Sequence, residues 1–368
     1  MPDFAPGVLS DRQIKQLVAS EVIQSPAPLE PGQYQPNSID LRLGTVAYRV
    51  RCSFLPQDST VQERLQSLEM YSFSLEFDGA VLERGQTYLI PLQEHLELPS
   101  AIRAKANPKS STGRLDVFTR MLSDHSHRFE EVAAGYSGPL FLEVFPRTFP
   151  IKVQAGQSLN QLRFFNGDSE LSDVELSAQL DARPLLYTDD GEALSVTDHH
   201  VENGLYMGID LLGNGNGIIG YRAQRHSEVI DLAGIGRYEM RDFWEPVEAP
   251  GERPLILEPE EFYLFASAQR VAVPPELSAE MVPYDTASGE LRTHYAGFFD
   301  SGFGWAQPRG ARVVLEVRSH DVPFQVTHGQ RFFRLNFQRN SEIPESLYGG
   351  TGSHYQSQGL ALSKHFRV

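Results

Sequence analysis

Residues 81–90 read VLERGQTYLI, and 175 positions later residues 256–265 read ILEPEEFYLF. That return decides the fold. Glu83, Tyr88 and Pro99 come back as Glu258, Tyr263 and Pro274, and Glu143, Gly156, Gln157, Leu162 and Phe164 come back 173 positions on as Glu316, Gly329, Gln330, Leu335 and Phe337. A weaker echo pairs Ile39-Asp40-Leu41 with Ile209-Asp210-Leu211. A single repeat of this length is a duplicated domain, because a solenoid needs several shorter repeats.

Outward from the repeat, short apolar or alternating runs are cut by turn residues: PLFLEVF, IKVQAG and LNQLRFF in the first copy, RVVLEV, PFQVTHG and FRLNF in the second. Regular short strands punctuated by Pro and Gly predict a mainly β chain of two tandem barrels or jelly rolls. One short N-terminal helix is expected over 10–19, with Ser10 as its cap and Ile14 and Leu17 on one face. The domains are expected at 1–180 and 204–368. The acidic stretch 181–203 is read as the linker.

At 368 residues the chain is long enough for two ordinary cores. No apolar run approaches the roughly 20 residues of a membrane helix, so no membrane partner is expected. The start shows no secretory signal, and Cys52 is the only cysteine. A cytoplasmic setting follows as the expectation. The net charge of −16 argues against a nucleic-acid partner, since affinity for a phosphate backbone rests on clustered Lys and Arg.

A small polyanion needs only a local basic island, and the first copy has one. Between Glu97 and Asp116 lie Arg103, Lys105, Lys109 and Arg114 and no acid, whereas residues 273–290 of the second copy hold Glu276, Glu280, Asp285 and Glu290 and no base. Within the island, Lys109, Ser110, Ser111, Thr112, Gly113 and Arg114 combine hydroxyls, a glycine and flanking cations, which suits a phosphate chain. Two other motifs mislead. Residues 215–220 (GNGIIG) match a dinucleotide fingerprint by letter but lack the strand-turn-helix setting it requires. His95-Leu96-Glu97 imitates a zinc deaminase motif, yet those sites need more cysteine than this chain has. No metal ligand is assigned. His199-His200 is read as solvated.

The phrase Pro108-Lys109-Ser110-Ser111-Thr112-Gly113-Arg114-Leu115 resembles the phosphate motif of the dUTPase and dCTP deaminase superfamily, and Ser38-Ile39-Asp40-Leu41-Arg42-Leu43-Gly44 resembles an N-terminal signature of dCTP deaminases. In the second copy, the segment from His294 through Ala296 and Asp300 to Gly304 is similar to the hairpin that receives the pyrimidine. Leu315-Glu316-Val317 is similar to the strand carrying the catalytic glutamate, and the tail around Tyr355 and Gln358 to the C-terminal lid. In their order these motifs match a tandem-duplicated bacterial dCTP deaminase with two dUTPase-like distorted jelly-roll barrels.

The resemblance implies hydrolytic deamination of dCTP to dUTP and ammonia, supplying dUTP for thymidylate synthesis. A glutamate, not a metal, activates the water, and it works best with its pKa raised toward neutrality. Mg2+ serves on the triphosphate, without zinc. Family members form rings of three barrels, so a homo-oligomer is expected. The copies depart from the pattern in complementary ways. The second has Pro283, Tyr284 and Ala287 where the phosphate motif belongs; the first keeps that motif but carries an insertion of about four residues between Ser123 and Gly138, with Glu130 near the family's aspartate position. Two site assignments stay open: the first-copy loop acting with Glu316 of the second copy, or the first copy alone with Ser126, Arg128, Glu130 and Glu143. A dUTPase, a bifunctional enzyme that continues to dUMP, and a nucleotide-binding regulator are the alternative activities.

Overall fold

The computed structural model describes residues 4–194, 200–213, 215, 217–251, 254–282, 291–293 (backbone only), 297–306, 310–350, 355 and 359–367. The chain forms two compact units. The first holds Met1–Ser169, His226–Arg237 and Asn340–Glu345; the second holds Glu170–Arg225, Tyr238–Arg339 and Ser346–Val368.

In the first unit the principal strands are β1 (Ser38–Leu41), β2 (Val46–Val50), β3 (Glu69–Ser74), β4 (Tyr88–Glu97), β5 (Ile102–Pro108), β6 (Val117–Ser123), β7 (Glu131–Val132), β8 (Ser137–Pro146) and β9 (Asn160–Asn166). One sheet runs β7-β5-β9-β1 and a second β6-β8-β4-β2-β3. Helix α1 (Asp11–Ala19) begins where the sequence predicts. Ser10 Oγ accepts the Gln13 amide at 3.2 Å, the Gln13 side chain closes the capping box, and Ile14 and Leu17 are fully buried. Chain from beyond the first repeat completes this unit: Ile230–Asp231 pairs in parallel with Ile151–Val153, and the Glu345 amide donates to Asp11 of α1 at 2.9 Å.

The second unit repeats the plan with β10 (Leu205–Gly208), β11 (Ile218–Ala223), β12 (Trp244–Glu248), β13 (Phe262–Val271), β14 (Leu277–Val282), β15 (Phe298–Phe299), β16 (Ala311–Ser319) and β17 (Arg331–Arg339). The sheets run β12-β11-β13-β16 and β10-β17-β14-β15. One apolar core draws on both, with Phe265 and Leu315 from the first and Ala279, Phe333 and Leu335 from the second. Each of the leucine and phenylalanine side chains contributes about 1.5–3 kcal/mol by leaving water.

The repeated residues are the ones that brace the chain. The Tyr88 hydroxyl accepts the Glu83 amide at 3.0 Å, and the Tyr263 hydroxyl accepts the Glu258 amide at 3.2 Å. Gln157 Oε1 takes the Gln154 amide at 2.9 Å as Gln330 Oε1 takes that of Thr327 at 3.1 Å. Gly156 and Gly329 sit at φ 85° and 74°, a conformation that favours glycine, and both donate to a carbonyl 2.8 Å away, Leu43 and Ile209.

The structure corrects one expectation and adds detail to two others. Ile209 stands where Leu43 does, and Leu205 pairs with Leu335 as Ile39 pairs with Leu162, so the echo between Ile39-Asp40-Leu41 and Ile209-Asp210-Leu211 is out of register by four residues. Helices beyond α1 are present: Val61–Leu68, Ser110–Gly113 and Asp173–Ala182. The first and third of these start at capping boxes, Thr60 with Glu63 and Ser172 with Glu175, which are short local signals inside β-rich surroundings. The first stretch of the first compact unit runs to Ser169, and described residues of the stretch 181–203 are built into the second unit. Its Leu186–Tyr187 pairs with β13, and its Asp189 forms an ion pair with Arg312. Ile218–Ala223 is a strand, so no helix follows the glycine-rich loop at 215–220. None of the described helices is long and apolar enough to cross a membrane.

Candidate active site

Strand β5 ends at Asn107-Pro108, where proline withdraws the donor that would continue the ladder. The next residues close one helical turn, Ser110–Gly113, with the Thr112 and Gly113 amides on the Lys109 carbonyl at 2.8 and 3.0 Å. Ser110 is exposed, while Ser111, Thr112 and Arg114 are buried. The Lys109 ammonium pairs with Asp40 on β1, joining the basic island to the N-terminal signature. From the same signature, Arg42 donates its main-chain N–H and Nε to Glu94, both at 2.8 Å, and reaches Ser25 Oγ at 2.7 Å and the Ala27 carbonyl at 2.9 Å. Burial pushes the Glu94 carboxyl above its ordinary range although Arg42 opposes the shift.

Glu143 lies in the apolar strand β8, buried, in register with Arg120 on β6. The Arg120 guanidinium donates to Glu143 Oε1 at 3.0 Å through Nε and at 2.5 Å through Nη2. Its carbon sits 3.8 Å from the Phe129 ring centroid, and Nη2 reaches Ser53 Oγ at 2.5 Å. The other residues of a first-copy site are engaged elsewhere. Arg128 pairs with Glu131 at 3.2 Å on the surface, and Ser126 binds the main chain of Arg128. Glu130, at φ 67°, takes the Met121 amide on its carboxylate at 3.2 Å. Nearby, Tyr136 donates to the Pro139 carbonyl at 2.6 Å, and burial pushes its hydroxyl up to about 12.

In the second copy, Glu316 lies buried in β16, opposite Leu264 of β13. Asp300 follows β15 and is buried. The apex beyond it is braced by Ser301 Oγ donating to the Leu277 carbonyl at 2.8 Å, by the Tyr348 amide on the Ser301 carbonyl at 2.8 Å, and by Phe299 packed edge-on to Phe303. Tyr355 is buried and its hydroxyl accepts the Lys364 amide at 3.1 Å, while Phe366 packs among Tyr238, Phe243 and Trp244. Ala296 and Gln358 lie outside the described residues, as does His199.

Strand register settles which positions correspond. Glu131 and Val132 pair with Lys105 and Ala104 as Phe298 and Phe299 pair with Glu280 and Ala279. The counterpart of Asp300 is therefore Ala133. Glu130 matches Gly297 instead, and each passes its carbonyl to the same strand position, Ala106 or Met281. Glu130, expected near the aspartate position, lies three residues before the counterpart of Asp300, because the insertion lengthens the hairpin without shifting the ladder. The same register sharpens the charge inversion. Lys105 faces Arg163 on the neighbouring strand, and the matched pair in the second copy is Glu280 and Asn336. The sequence reading passed over Arg163, Arg120 and the Arg42–Glu94 pair. A charged residue in each of two neighbouring apolar strands is the signal that could have found Arg120.

Two family models match: the 2'-deoxycytidine 5'-triphosphate deaminase N-terminal domain over residues 5–168 and the C-terminal domain of the same family over residues 172–366. Among curated proteins, the dUMP-forming dCTP deaminase of Methanoculleus marisnigri is 34% identical over 165 residues, 44% of this chain and 81% of that protein. The dUMP-forming dCTP deaminase of Persephonella marina is 29% identical over 43% of this chain and 82% of its own length. The solved structure of the deaminase from Agrobacterium tumefaciens is 46% identical, with a TM-score of 0.87, covering 95% of this chain and 100% of that one.

Proposed function

The chain belongs to the dCTP deaminase family, and from that premise we propose that it hydrolyses dCTP to dUTP and ammonia with the work divided between its copies. The first copy holds the triphosphate through Lys109, Ser110, Ser111 and Arg114. The second holds the pyrimidine end, with Asp300 in the hairpin, Glu316 as the catalytic residue, and Ala296, Tyr355 and Gln358 as further substrate contacts. Water adds to C4 of the ring as one of its protons passes through the Glu316 carboxylate to N3. A proton then moves from the new hydroxyl to the amino group, the C–N bond breaks, and ammonia leaves a C4 carbonyl.

The contrast between the two strand glutamates carries this reading. Glu143 is locked to Arg120 in the copy whose hairpin has Ala133, whereas Glu316 belongs to the copy that keeps Asp300. The donor set of the first-copy loop, two cations and hydroxyls, fits phosphate oxygens. It does not fit a cation, so Mg2+ would be held by the triphosphate, where it supplies charge neutralisation. The homo-oligomer and the cytoplasmic setting belong to the same proposal, as does the exclusion of nucleic acid by a net charge of −16.

A second reading, deamination followed by release of pyrophosphate, is favoured by the two relatives named as dUMP-forming. Incubation with dCTP and Mg2+, followed by separation of dCTP, dUTP and dUMP, tests both. dUTP alone supports deamination, dUMP without free dUTP supports the bifunctional enzyme, and unchanged dCTP overturns both.

A further inference from the structure

We infer that each chain binds one nucleotide and not two, because the base-side half of the first copy has been rebuilt into a closed, structural element; the inference rests on the deaminase reading. Two glutamate strands and two hairpins give a duplicated chain the material for two sites. In the first copy that material is committed. The Arg120 fork spends two hydrogen bonds on Glu143 Oε1 and one on Ser53, and its open face is covered by Phe129. Phe129 comes from the lengthened hairpin, and Ser53 from the segment leading into the helix Val61–Leu68.

That segment is stitched to the hairpin along its length. The Gln57 amide donates to the Ser126 carbonyl at 3.1 Å, the His125 amide to the Ser59 carbonyl at 3.1 Å, and the Val61 amide to Asp124 Oδ1 at 2.7 Å. Behind the stitches, Val61 and Leu65 pack with Leu89, Leu122 and Phe141, and Phe54 and Phe129 close over them. A pyrimidine could reach Glu143 only by breaking an ion pair whose carboxylate is buried and opening an apolar cluster, two costs that act together. The second copy, in turn, has no Lys or Arg between 283 and 290, where a phosphate loop would supply them. Each copy has lost the half that the other keeps, so one glutamate and one phosphate loop remain per chain.

Titration calorimetry of dCTP with Mg2+ into the full-length Glu316→Gln protein, which binds without turnover, reads the number directly. One dCTP per chain is expected, with a single affinity. Two per chain, or two affinities, overturns the inference while leaving the deaminase reading intact; no binding, with wild-type protein also inert toward dCTP, overturns both. Phe129→Ala in the same background keeps the count at one under this inference, because the Arg120–Glu143 pair remains. A second equivalent of dCTP appearing in that variant would show that a ligandable site lies beneath the ring and would sink the idea of a committed structural element.

Discussion

At matching positions the two copies hold the same framework with different chemistry. The bonds shared by the two copies involve the main chain: a tyrosine hydroxyl on a glutamate amide, a glutamine amide folded over its own turn, a left-handed glycine donating to a carbonyl just past the end of a strand. The groups that diverged are side chains with a task. The main-chain N–H of Arg42 is received by Glu94 at 2.8 Å, and its counterpart, that of Gly208, is received by Gln269 at 2.9 Å. The donor persists; the acceptor has exchanged a charge for an amide, because glycine brings no guanidinium to neutralise. Lys105 and Glu280 hold one register position with opposite charge by the same freedom. A buried main-chain donor must be met in any barrel, whereas a charge is kept only while something uses it.

The comparison breaks first at the two glutamates. Glu316→Gln removes the proton shuttle and is expected to lower the deamination rate by about 10²–10⁴-fold with little change in dCTP binding. Glu143→Gln is expected to cost stability and leave turnover within a few-fold. Rates and thermal midpoints of the two variants, measured side by side, check this; the reverse assignment would return the site to the first copy.

Next comes the received N–H. Glu94→Ala leaves the Arg42 guanidinium buried without its carboxylate and is expected to destabilise the first unit by about 3–5 kcal/mol, while Gln269→Ala removes a neutral bond and costs about 1–3 kcal/mol. Urea denaturation of both variants would show equal losses if the two acceptors were equivalent.

The charge inversion is sharpened by Arg114→Ala. Loss of a charged contact to phosphate costs about 1.5–3 kcal/mol, a rise of about 10- to 150-fold in the dCTP concentration for half-saturation. Lys109→Ala acts in the same direction but more mildly, since ammonium is a point charge without a fork and already shares its charge with Asp40. Both effects shrink with deoxycytidine. An equal loss for nucleoside and triphosphate would make Arg114 a structural residue. The smallest effect tests the framework itself: Tyr88→Phe and Tyr263→Phe each delete one repeated bond and are expected to cost about 0.5–1.5 kcal/mol, alike in both copies by thermal unfolding.

Much of this molecule is legible in one dimension. The duplication, the mainly β class, the capped helix at Ser10, the basic island and the glutamate in each apolar strand are all local patterns, set by spacing, turn chemistry and alternation along a few residues. What depends on register between distant strands is not. That Ala133 is the counterpart of Asp300, that Leu205 is the counterpart of Ile39, and that Arg120 faces Glu143 follow from hydrogen-bonded pairing, and an insertion of a few residues shifts a sequence count without shifting the ladder. The sequence by itself determined that there are two barrels and that their basic and acidic segments are inverted. Only the tertiary structure decided that the first glutamate is spoken for, because a buried carboxylate is paired by whatever side chain the neighbouring strand brings within 3 Å, and chain order does not contain that distance.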